Sequence, residues 1–289
     1  MSTVSVRNVW KTYDGQVVLE RINIEVGEHA FISLVGPSGC GKTTFLRMLL
    51  SQEVPCKGEI LLDGAPLAPE PTPERGVVFQ RYSVFPHLTV LDNVALGLEA
   101  ERSPLLGRTF GSTRREILAR SREMLDHVGL HGAADKYPAQ LSGGMQQRLA
   151  IAQTLVKRPT LLLLDEPFGA LDPGIRTDMH HLMRRLFDET GMTVFMVTHD
   201  LREAFQLGTR VLAFDRYRTR EEEREVYGAT IMFDIPLERD QRRRDAEREV
   251  AARFSSSHAS QDDLARDSES HAGFPLGTTR RSPALAGGH

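Results

Sequence analysis

The sequence has little cysteine and no long apolar run. Two cysteines, Cys40 and Cys56, occur among 289 residues, too few for the disulfide framework of a small secreted domain. No apolar segment approaches the roughly 18 residues that span a bilayer, and the N-terminus lacks a signal-peptide pattern. The net charge of −3 demands neither nucleic acid nor an anionic membrane as a partner. We therefore expect a globular protein of a reducing cytoplasm that is neither secreted nor membrane-embedded by itself.

Apolar segments of strand length recur along the first 237 residues. Near the N-terminus, "VSVRNV" and "VLERINIEV" alternate in polarity and predict antiparallel strands. Buried-strand candidates follow in "AFISLV", "GVVF", "TLLLLD", "TVFMVT" and "RVLAFD", several separated by helical patterns, and "GATIMFDIPL" is expected to close the last strand pair. Residues 81–156 show helical patterns and no convincing strand. The pattern predicts an α/β fold: a mostly parallel sheet, an N-terminal antiparallel β subdomain and an inserted helical subdomain.

The composition changes after Leu237. Residues 238–289 are charged and rich in serine and glycine, with few apolar residues to bury, so we expect a largely disordered tail, with a solvated helix possible at "RRRDAERE". The arginines could alternatively form a basic patch for a partner, although acidic residues lie between them. The predicted domain thus covers residues 1–237, with the helical subdomain inside it.

A glycine-rich segment joins a predicted strand to a predicted helix. "GPSGCGKTT" follows "AFISLV" and precedes "FLRMLL", and its spacing is that of a phosphate-binding P-loop. The glycines let the backbone wrap phosphates at a helix N-terminus, the lysine reaches the β- and γ-phosphates, and the first threonine ligates Mg²⁺. An ordinary glycine turn is the alternative. The segment predicts ATP-binding residues Gly36, Pro37, Ser38, Gly39, Cys40, Gly41, Lys42, Thr43 and Thr44.

A second motif, "LLLLDEP", places two acids at the end of a buried strand. Ligands of open α/β sheets bind at the carboxyl ends of the strands. Asp165 can therefore hold Mg²⁺, directly or through water, while Glu166 can polarise the water that attacks the γ-phosphate. A solvated acidic turn is the alternative.

A third motif, "LSGGMQQR", starts a helix. Ser142 is a natural N-cap, and Gly143 and Gly144 expose backbone N–H groups, which makes a second anion site. One chain cannot easily aim two helix N-termini from separate subdomains at one γ-phosphate. The motif therefore indicates that a second copy of the protein supplies it.

Together, the three motifs give the chain a strong resemblance to the ATP-binding-cassette (ABC) ATPases, over about residues 3–235. "GPSGCGKTT" resembles Walker A, "LSGGMQQR" the signature and "LLLLDEP" Walker B. The resemblance implies a head-to-tail homodimer holding two ATP molecules with Mg²⁺, each between Walker A of one subunit and the signature of the other. Ser142, Gly143, Gly144 and Gln146 would act in trans, and Lys42 and Glu166 would be catalytic.

Four further residues match the family one by one. Gln80 in "VVFQ" corresponds to the glutamine that senses Mg²⁺ and the γ-phosphate, and could also ligate the ion. His199 in "MVTHD" resembles the catalytic switch histidine, although a strand-end histidine can simply be structural. Asp172 in "GALD" resembles the acid that links the two sites across the dimer, and it can also cap a helix. Tyr13 resembles the aromatic residue that stacks on adenine, with core packing or plain exposure as alternatives.

The single cassette resembles a stand-alone subunit of an importer that works with a separate transmembrane permease and, indirectly, a solute-binding protein. Its motif sequences are similar to those of the nitrate, sulfonate and taurine group, with a weaker likeness to urea or amide importers. The resemblance to an importer subunit implies a peripheral position on the cytoplasmic face of the inner membrane. Residues 80–93 would receive a coupling helix of the permease, with Phe85, Pro86 and Leu88 as apolar anchors, unless Phe85 and Leu88 belong to the core. Residues 101–115 depart from a minimal cassette.

Other classes fit less well. A multi-subunit exporter differs only in the direction of transport. A soluble ABC ATPase acting on nucleic acid or ribosomes would usually contain a coiled-coil insertion or two cassettes, and neither is found in the sequence. A P-loop kinase would need an acceptor substrate, and the signature argues against it.

Overall fold

The computed structural model describes residues 2–79, 84–103, 109–216 and 226–237, all within one compact unit. Gln80, residues 104–108 of the unusual segment 101–115 and the whole tail after Leu237 lie outside the described residues, and the predictions made for them stay predictions. Within the described part of the chain, no helix combines the length and the apolar character needed to cross a membrane.

The strands of the described residues form one ten-stranded mixed sheet in the order β5-β4-β1-β2-β10-β9-β3-β8-β7-β6. The strands from β9 to β6 run parallel, whereas β1, β2, β4 and β5 pair antiparallel at the other end and β10 pairs antiparallel with β9. The predicted fold class is therefore confirmed. The strands are β1 Val4–Tyr13, β2 Gln16–Val26, β3 Phe31–Val35, β4 Lys57–Leu62, β5 Ala65–Pro66, β6 Arg75–Val78, β7 Leu161–Asp165, β8 Thr193–Val197, β9 Arg210–Arg216 and β10 Ala229–Pro236.

The helices cover both faces of the sheet. They are α1 Lys42–Leu49, α2 Val90–Arg102, α3 Gly111–His127, α4 Gly143–Leu155, α5 Pro173–Thr190 and α6 Leu201–Leu207, with short 3₁₀ turns at His131–Ala133 and Pro138–Gln140. Alternate residues of β7 enter different cores: Leu161 and Leu163 pack with α1, while Leu162 and Leu164 pack with α4 and α5. This is why the strand is a continuous apolar run.

Between the P-loop strand and α5, the described residues 84–156 contain helices and turns but no strand. Thr89 caps α2 by accepting a hydrogen bond from Asp92 N, as expected of a threonine at this position. The start of α3 is held to α2 by ion pairs from Arg114 to Asp92 and Glu99. The connection from α2 to α3 is thus anchored on both sides of the undescribed residues 104–108.

Two strands, β4 and β5, were absent from the predicted set. The first three residues of β4 are exposed, so its short apolar stretch does not read as a buried strand. The available signal was the dipeptide Asp63-Gly64, whose φ angles of 53° and 78° suit a two-residue hairpin turn.

Candidate functional site

Three neighbouring parallel strands end at the candidate site. β3 leads into the P-loop, β8 leads to His199, and β7 ends at Asp165, and these strands are adjacent in the order β3-β8-β7. Topology therefore brings together three motifs that are far apart in the sequence. This is the edge at which open α/β sheets bind ligands.

The P-loop backbone requires glycine at two positions. Gly36 has a φ of 149°, and a Cβ there would lie 2.1 Å from the Phe214 carbonyl oxygen. Gly41 has a φ of 85°, and a Cβ there would lie 2.7 Å from Leu19 Cδ2. Gly41 also occupies the N-cap of α1 without a side chain to cap it. The first amides of α1 therefore have no side-chain acceptor, as suits a helix start that binds an anion.

Lys42 is buried beneath this loop. Its Nζ donates to the Gly36 carbonyl oxygen at 2.7 Å and the Pro37 carbonyl oxygen at 2.8 Å, and lies 3.7 Å from Cys40 Sγ. Cys40 is only 3% exposed, so its side chain packs in the core below the loop. Burial raises the pKa of the Cys40 thiol, with Lys42 opposing the shift.

The predicted Mg²⁺ ligands Thr43 and Asp165 are brought together. Thr43 Oγ1 donates to Asp165 Oδ1 at 3.1 Å. Burial raises the pKa of Asp165; the Thr43 hydrogen bond opposes this shift, and the charge of Glu166 adds to it. Among the described residues, no group of three or more His, Cys, Asp or Glu could hold a metal. The arrangement fits Mg²⁺, which proteins commonly bind through one or two side chains together with substrate phosphates.

The catalytic candidates Glu166 and His199 face the P-loop across a cavity of about 280 Å³. Glu166 Oε2 and His199 Nδ1 are 3.5 Å apart. Glu166 has a left-handed φ of 47°, and its N–H donates to the Val197 carbonyl at 3.0 Å, which ties it to the end of β8. The cavity is lined by Val18, Ser38, Gly39, Gly41, Lys42, Thr43, Thr44, Glu166 and His199. Of these, only Val18 was not predicted; it reaches the site from β2 through the fold, and no local motif marks it.

Tyr13, the predicted adenine platform, lies at the end of β1 and is 37% exposed. Lys11 Nζ lies 4.9 Å from the Tyr13 ring centroid and forms a 2.7 Å ion pair with Glu53. Burial raises the pKa of Tyr13, a Glu53 hydrogen bond adds to the shift, and a Thr44 hydrogen bond opposes it. The contact with Thr44 places Tyr13 beside the P-loop, although it does not line the cavity.

The residues expected to act in trans lie away from that cavity lining. Ser142 caps α4, its Oγ accepting from Met145 N at 3.4 Å, while Gly143 is exposed. Gly144 is buried, and a Cβ there would lie 2.4 Å from Ile175 Cγ2, so its packing on α5 also requires glycine. The Gln146 amide donates to the Pro138 and Leu141 carbonyls at 3.0 and 3.4 Å and is thus engaged within its own chain.

Asp172 is exposed at the N-cap of α5, but its side chain makes no capping hydrogen bond. The Asp172 carboxylate therefore does not act as the cap of α5, which was the alternative role expected for it. Pro173 at the first turn suits the helix start.

The segment before α2 presents an apolar surface. Phe85 is 43% exposed, Pro86 is exposed and Leu88 is partly buried. Buried Asn93 fixes the segment: its amide accepts from Phe85 N at 2.8 Å and donates to the carbonyls of Phe85, Leu88 and Thr89. Neither the sequence motifs nor the resemblance had singled out this role of Asn93.

Comparisons with known proteins agree with this geometry. A sequence model described as ABC transporter matches residues 19–169. The chain is 45% identical over 214 residues to the spermidine/putrescine import ATP-binding protein PotA 1 of Pseudomonas aeruginosa, covering 72% of this chain and 56% of that protein. It is 40% identical over 221 residues to the sulfate/thiosulfate import ATP-binding protein CysA of Gloeobacter violaceus, covering 76% of this chain and 62% of that protein.

A solved structure gives the same answer. The fold is similar to that of a dimeric ATP-binding cassette in a post-hydrolysis state, bound to ADP and Pi, with a TM-score of 0.64 and 31% identity over 82% of this chain and 99% of that one. The chain spans only 56 to 62% of the length of the two curated relatives above. On the sequence match, the identities and the shared cassette fold, the chain belongs to the ABC transporter family.

Proposed function

We propose that this chain binds ATP with Mg²⁺ and hydrolyses it to drive uptake of a small solute through a separate membrane subunit. The observation that carries the proposal is one cavity in which Lys42 and Thr43 of the P-loop face Glu166 and His199. Phosphate-binding groups and a candidate general base thus share one space, which is the arrangement that phosphoryl transfer to water needs.

Each side chain has a task in this reaction. Lys42 and the amides at the start of α1 neutralise the phosphate charge. Glu166 accepts the proton of the attacking water, and His199 hydrogen-bonds the γ-phosphate and orients that water. Mg²⁺, when bound, supplies positive charge beside the β- and γ-phosphates; Thr43, Asp165 and Gln80 would hold it.

A second copy of the chain would complete each site. Ser142, Gly143, Gly144 and Asp172 do not line the cavity of their own chain, yet Ser142, Gly143 and Asp172 are exposed. A head-to-tail homodimer would place the uncovered start of α4 on the γ-phosphate of the partner, where its N–H groups favour an anion. For Gln146 to donate to the partner's nucleotide, its side-chain amide would have to leave the two carbonyls of its own chain to which it donates.

The permease would dock on the exposed surface of Phe85 and Pro86, which Asn93 holds in place. Gln153 Nε2 donates to Asn93 Oδ1 at 3.0 Å and links this segment to α4. A push on Phe85 would therefore reach the helix that carries the signature. Such docking would put the subunit on the cytoplasmic face of the inner membrane, with a solute-binding protein as an indirect partner.

The relatives favour import over export, because both are import ATP-binding proteins, one for spermidine and putrescine and one for sulfate and thiosulfate. They do not favour the nitrate, sulfonate, taurine or urea class over polyamines or sulfate. Because the membrane and solute-binding partners select the solute, we propose a small polar solute without assigning its chemical class.

The nucleotide reaction is tested by Lys42→Ala, with Lys57→Ala, an exposed lysine on β4, as the control. Binding of a fluorescent ATP analogue and release of phosphate are measured with Mg²⁺. We expect Lys42→Ala to lose both, since it removes the buried cation of the P-loop, and Lys57→Ala to keep both. Unchanged affinity and turnover in Lys42→Ala would refute the P-loop assignment.

The transport role is tested by purifying the tagged protein from gently solubilised membranes of its host and identifying its partners by mass spectrometry. A stoichiometric multispanning subunit, with a solute-binding protein encoded beside it, would support import. A permease without a binding protein would favour an exporter, and only soluble partners would favour a non-transport ATPase.

A further inference from the structure

Two side chains of α5, Arg176 and His180, lie one helical turn apart between two loops of the site. The first loop, residues 166–172, follows β7 and is called the β7 loop below. The second, residues 198–200, follows β8 and is called the β8 loop. Because residues four apart share one face of a helix, both side chains can reach the two loops together.

His180 forms the inner link. It is 6% exposed, and its Nε2 lies 2.8 Å from Glu203 Oε1 on α6. The other oxygen of the Glu203 carboxylate accepts the hydroxyl of Thr198 in the β8 loop. On its other side, the His180 ring packs edge-on against Phe168 of the β7 loop, with centroids 5.1 Å apart. His180 is therefore in contact with both loops, directly or through one carboxylate.

Arg176 forms the outer link. Its Nη2 donates to the Leu171 carbonyl of the β7 loop at 3.2 Å, and its Nη1 lies 3.5 Å from Asp200 Oδ2 of the β8 loop. Asp200 in turn caps α6 through Arg202 N and Glu203 N. The guanidinium thus joins the residue before Asp172 to the residue after His199.

The β7 loop and the β8 loop also meet at the two proposed catalytic side chains. Glu166 and His199 are 3.5 Å apart, and a Cβ on Gly169 would lie 3.5 Å from His199 Cε1. Close-packed groups in a protein interior transmit strain to one another. A shift of the β7 loop, where the exposed Asp172 would meet the partner subunit, therefore moves the β8 loop as well.

We propose that His180 is a positioning residue for hydrolysis: with Arg176, it holds His199 at its working distance from Glu166 and couples that distance to Asp172. This inference rests on the proposed ATPase function. It assigns α5 the role of a connector between the dimer-facing acid and the switch histidine.

The variants must separate positioning from folding, since losing one partner of the buried Glu203 carboxylate destabilises the protein. His180→Gln keeps an amide that can donate to Glu203 but removes the ring from Phe168. His180→Ala removes both contacts. His181→Ala is the matched control, because His181 is the neighbouring residue of α5 and is exposed.

The experiment measures kcat and KM for ATP with Mg²⁺, thermal unfolding, and amide exchange of residues 198–203. We expect His180→Ala to lower kcat about tenfold, the scale of coupling within one contact network, with little change in KM and faster exchange of the β8 loop. His180→Gln should lie between it and the wild type, and His181→Ala should match the wild type. In a His199→Ala background, His180→Ala should cause no further loss of kcat.

Wild-type kcat and exchange in a folded His180→Ala variant would overturn the inference, as would a full tenfold loss in the His199→Ala background. A wild type that binds ATP without hydrolysing it would instead refute the proposed function. In that case, unchanged exchange of residues 198–203 in His180→Ala would still overturn the coupling, and faster exchange would support it.

Discussion

Lys42 is a buried cation of the proposed phosphate site, and the loop itself satisfies its charge. The residue is 7% exposed, and its ammonium donates to two carbonyls of the loop, which satisfies a charge that burial would otherwise penalise. An ammonium has three N–H donors, so two can hold the loop carbonyls while the third stays available to a phosphate oxygen.

The two cysteines should differ sharply in reactivity. Cys56 is exposed, while Cys40 is buried and burial raises its pKa, which disfavours the reactive thiolate. We expect N-ethylmaleimide to modify one thiol per native chain quickly and to leave ATP binding intact. Cys56→Ser should remove the fast phase, as followed by mass spectrometry. Rapid loss of ATP binding when Cys56→Ser is treated with N-ethylmaleimide would show that Cys40 is accessible.

Glu53 should contribute stability that depends on pH. Its hydrogen bond from Lys11 lowers its pKa below the ordinary 4.5, against a smaller opposing effect of burial. The group prefers to be charged in the folded state, so its contribution is complete above pH 4.5 and is lost as the pH falls through the lowered value. We expect the difference in unfolding free energy between wild type and Glu53→Gln, measured in urea, to shrink below pH 4.5.

Glu59→Gln provides the control for that titration. The Glu59 side chain is 53% exposed and lies 3.4 Å from an exposed arginine, a pair of a kind that contributes little. Its effect should be small at every pH. An equal and pH-independent loss in both variants would contradict the role given to the Lys11–Glu53 pair.

At the scale of elements, the start of α4 is held by its contact with α5. Gly144 lies so close to Ile175 that a methyl group would overlap the Ile175 Cγ2 position. We expect Gly144→Ala to destabilise the protein by about 1 to 3 kcal/mol, as overpacking does, measured by urea unfolding. Gly144→Ala with Ile175→Ala should recover part of that loss relative to Ile175→Ala alone. Additive losses would show that the two side chains do not compete for the same space.

The elements predicted from sequence are those with strong local signals. β7 and β8 are continuous apolar runs because both of their faces are buried, and α4 begins at a serine cap followed by glycines. β4 gave no such signal because half of it is exposed. Local pattern records burial and capping, so a strand that buries only two of its six residues gives a weak signal in one sequence.

The residues of the candidate site also divide into those that a local sequence motif marks and those that only tertiary packing brings into place. Lys42, Thr43, Asp165, Glu166 and His199 could be named because each lies in a contiguous motif at the end of a strand. Arg176, His180 and Glu203 could not, since their roles come from packing between α5 and α6 that no spacing reveals. The binding and catalytic roles given to the motif residues, to Tyr13, to Asp172 and to the signature residues all stay predictions.

At the scale of the whole molecule, the sheet order makes an asymmetric surface. Parallel strands deliver the P-loop, Glu166 and His199 to one cavity, while Ser142 and Gly143 lie exposed at the start of α4, outside its lining. In the proposed dimer, each copy would therefore contribute half of each of two sites. Two copies related head to tail would join each cavity to the partner's α4, whereas one copy would leave ATP without its second anion-binding helix.

The most direct test of this account is the mass of Glu166→Gln by light scattering, with and without ATP and Mg²⁺. Removing the base should leave ATP bound and unhydrolysed, so the variant should shift from 32.3 kDa to twice that mass on adding ATP. Glu166→Gln with Lys42→Ala should stay monomeric. A Glu166→Gln protein that hydrolyses ATP at the wild-type rate, or that binds ATP and remains a monomer, would contradict the account.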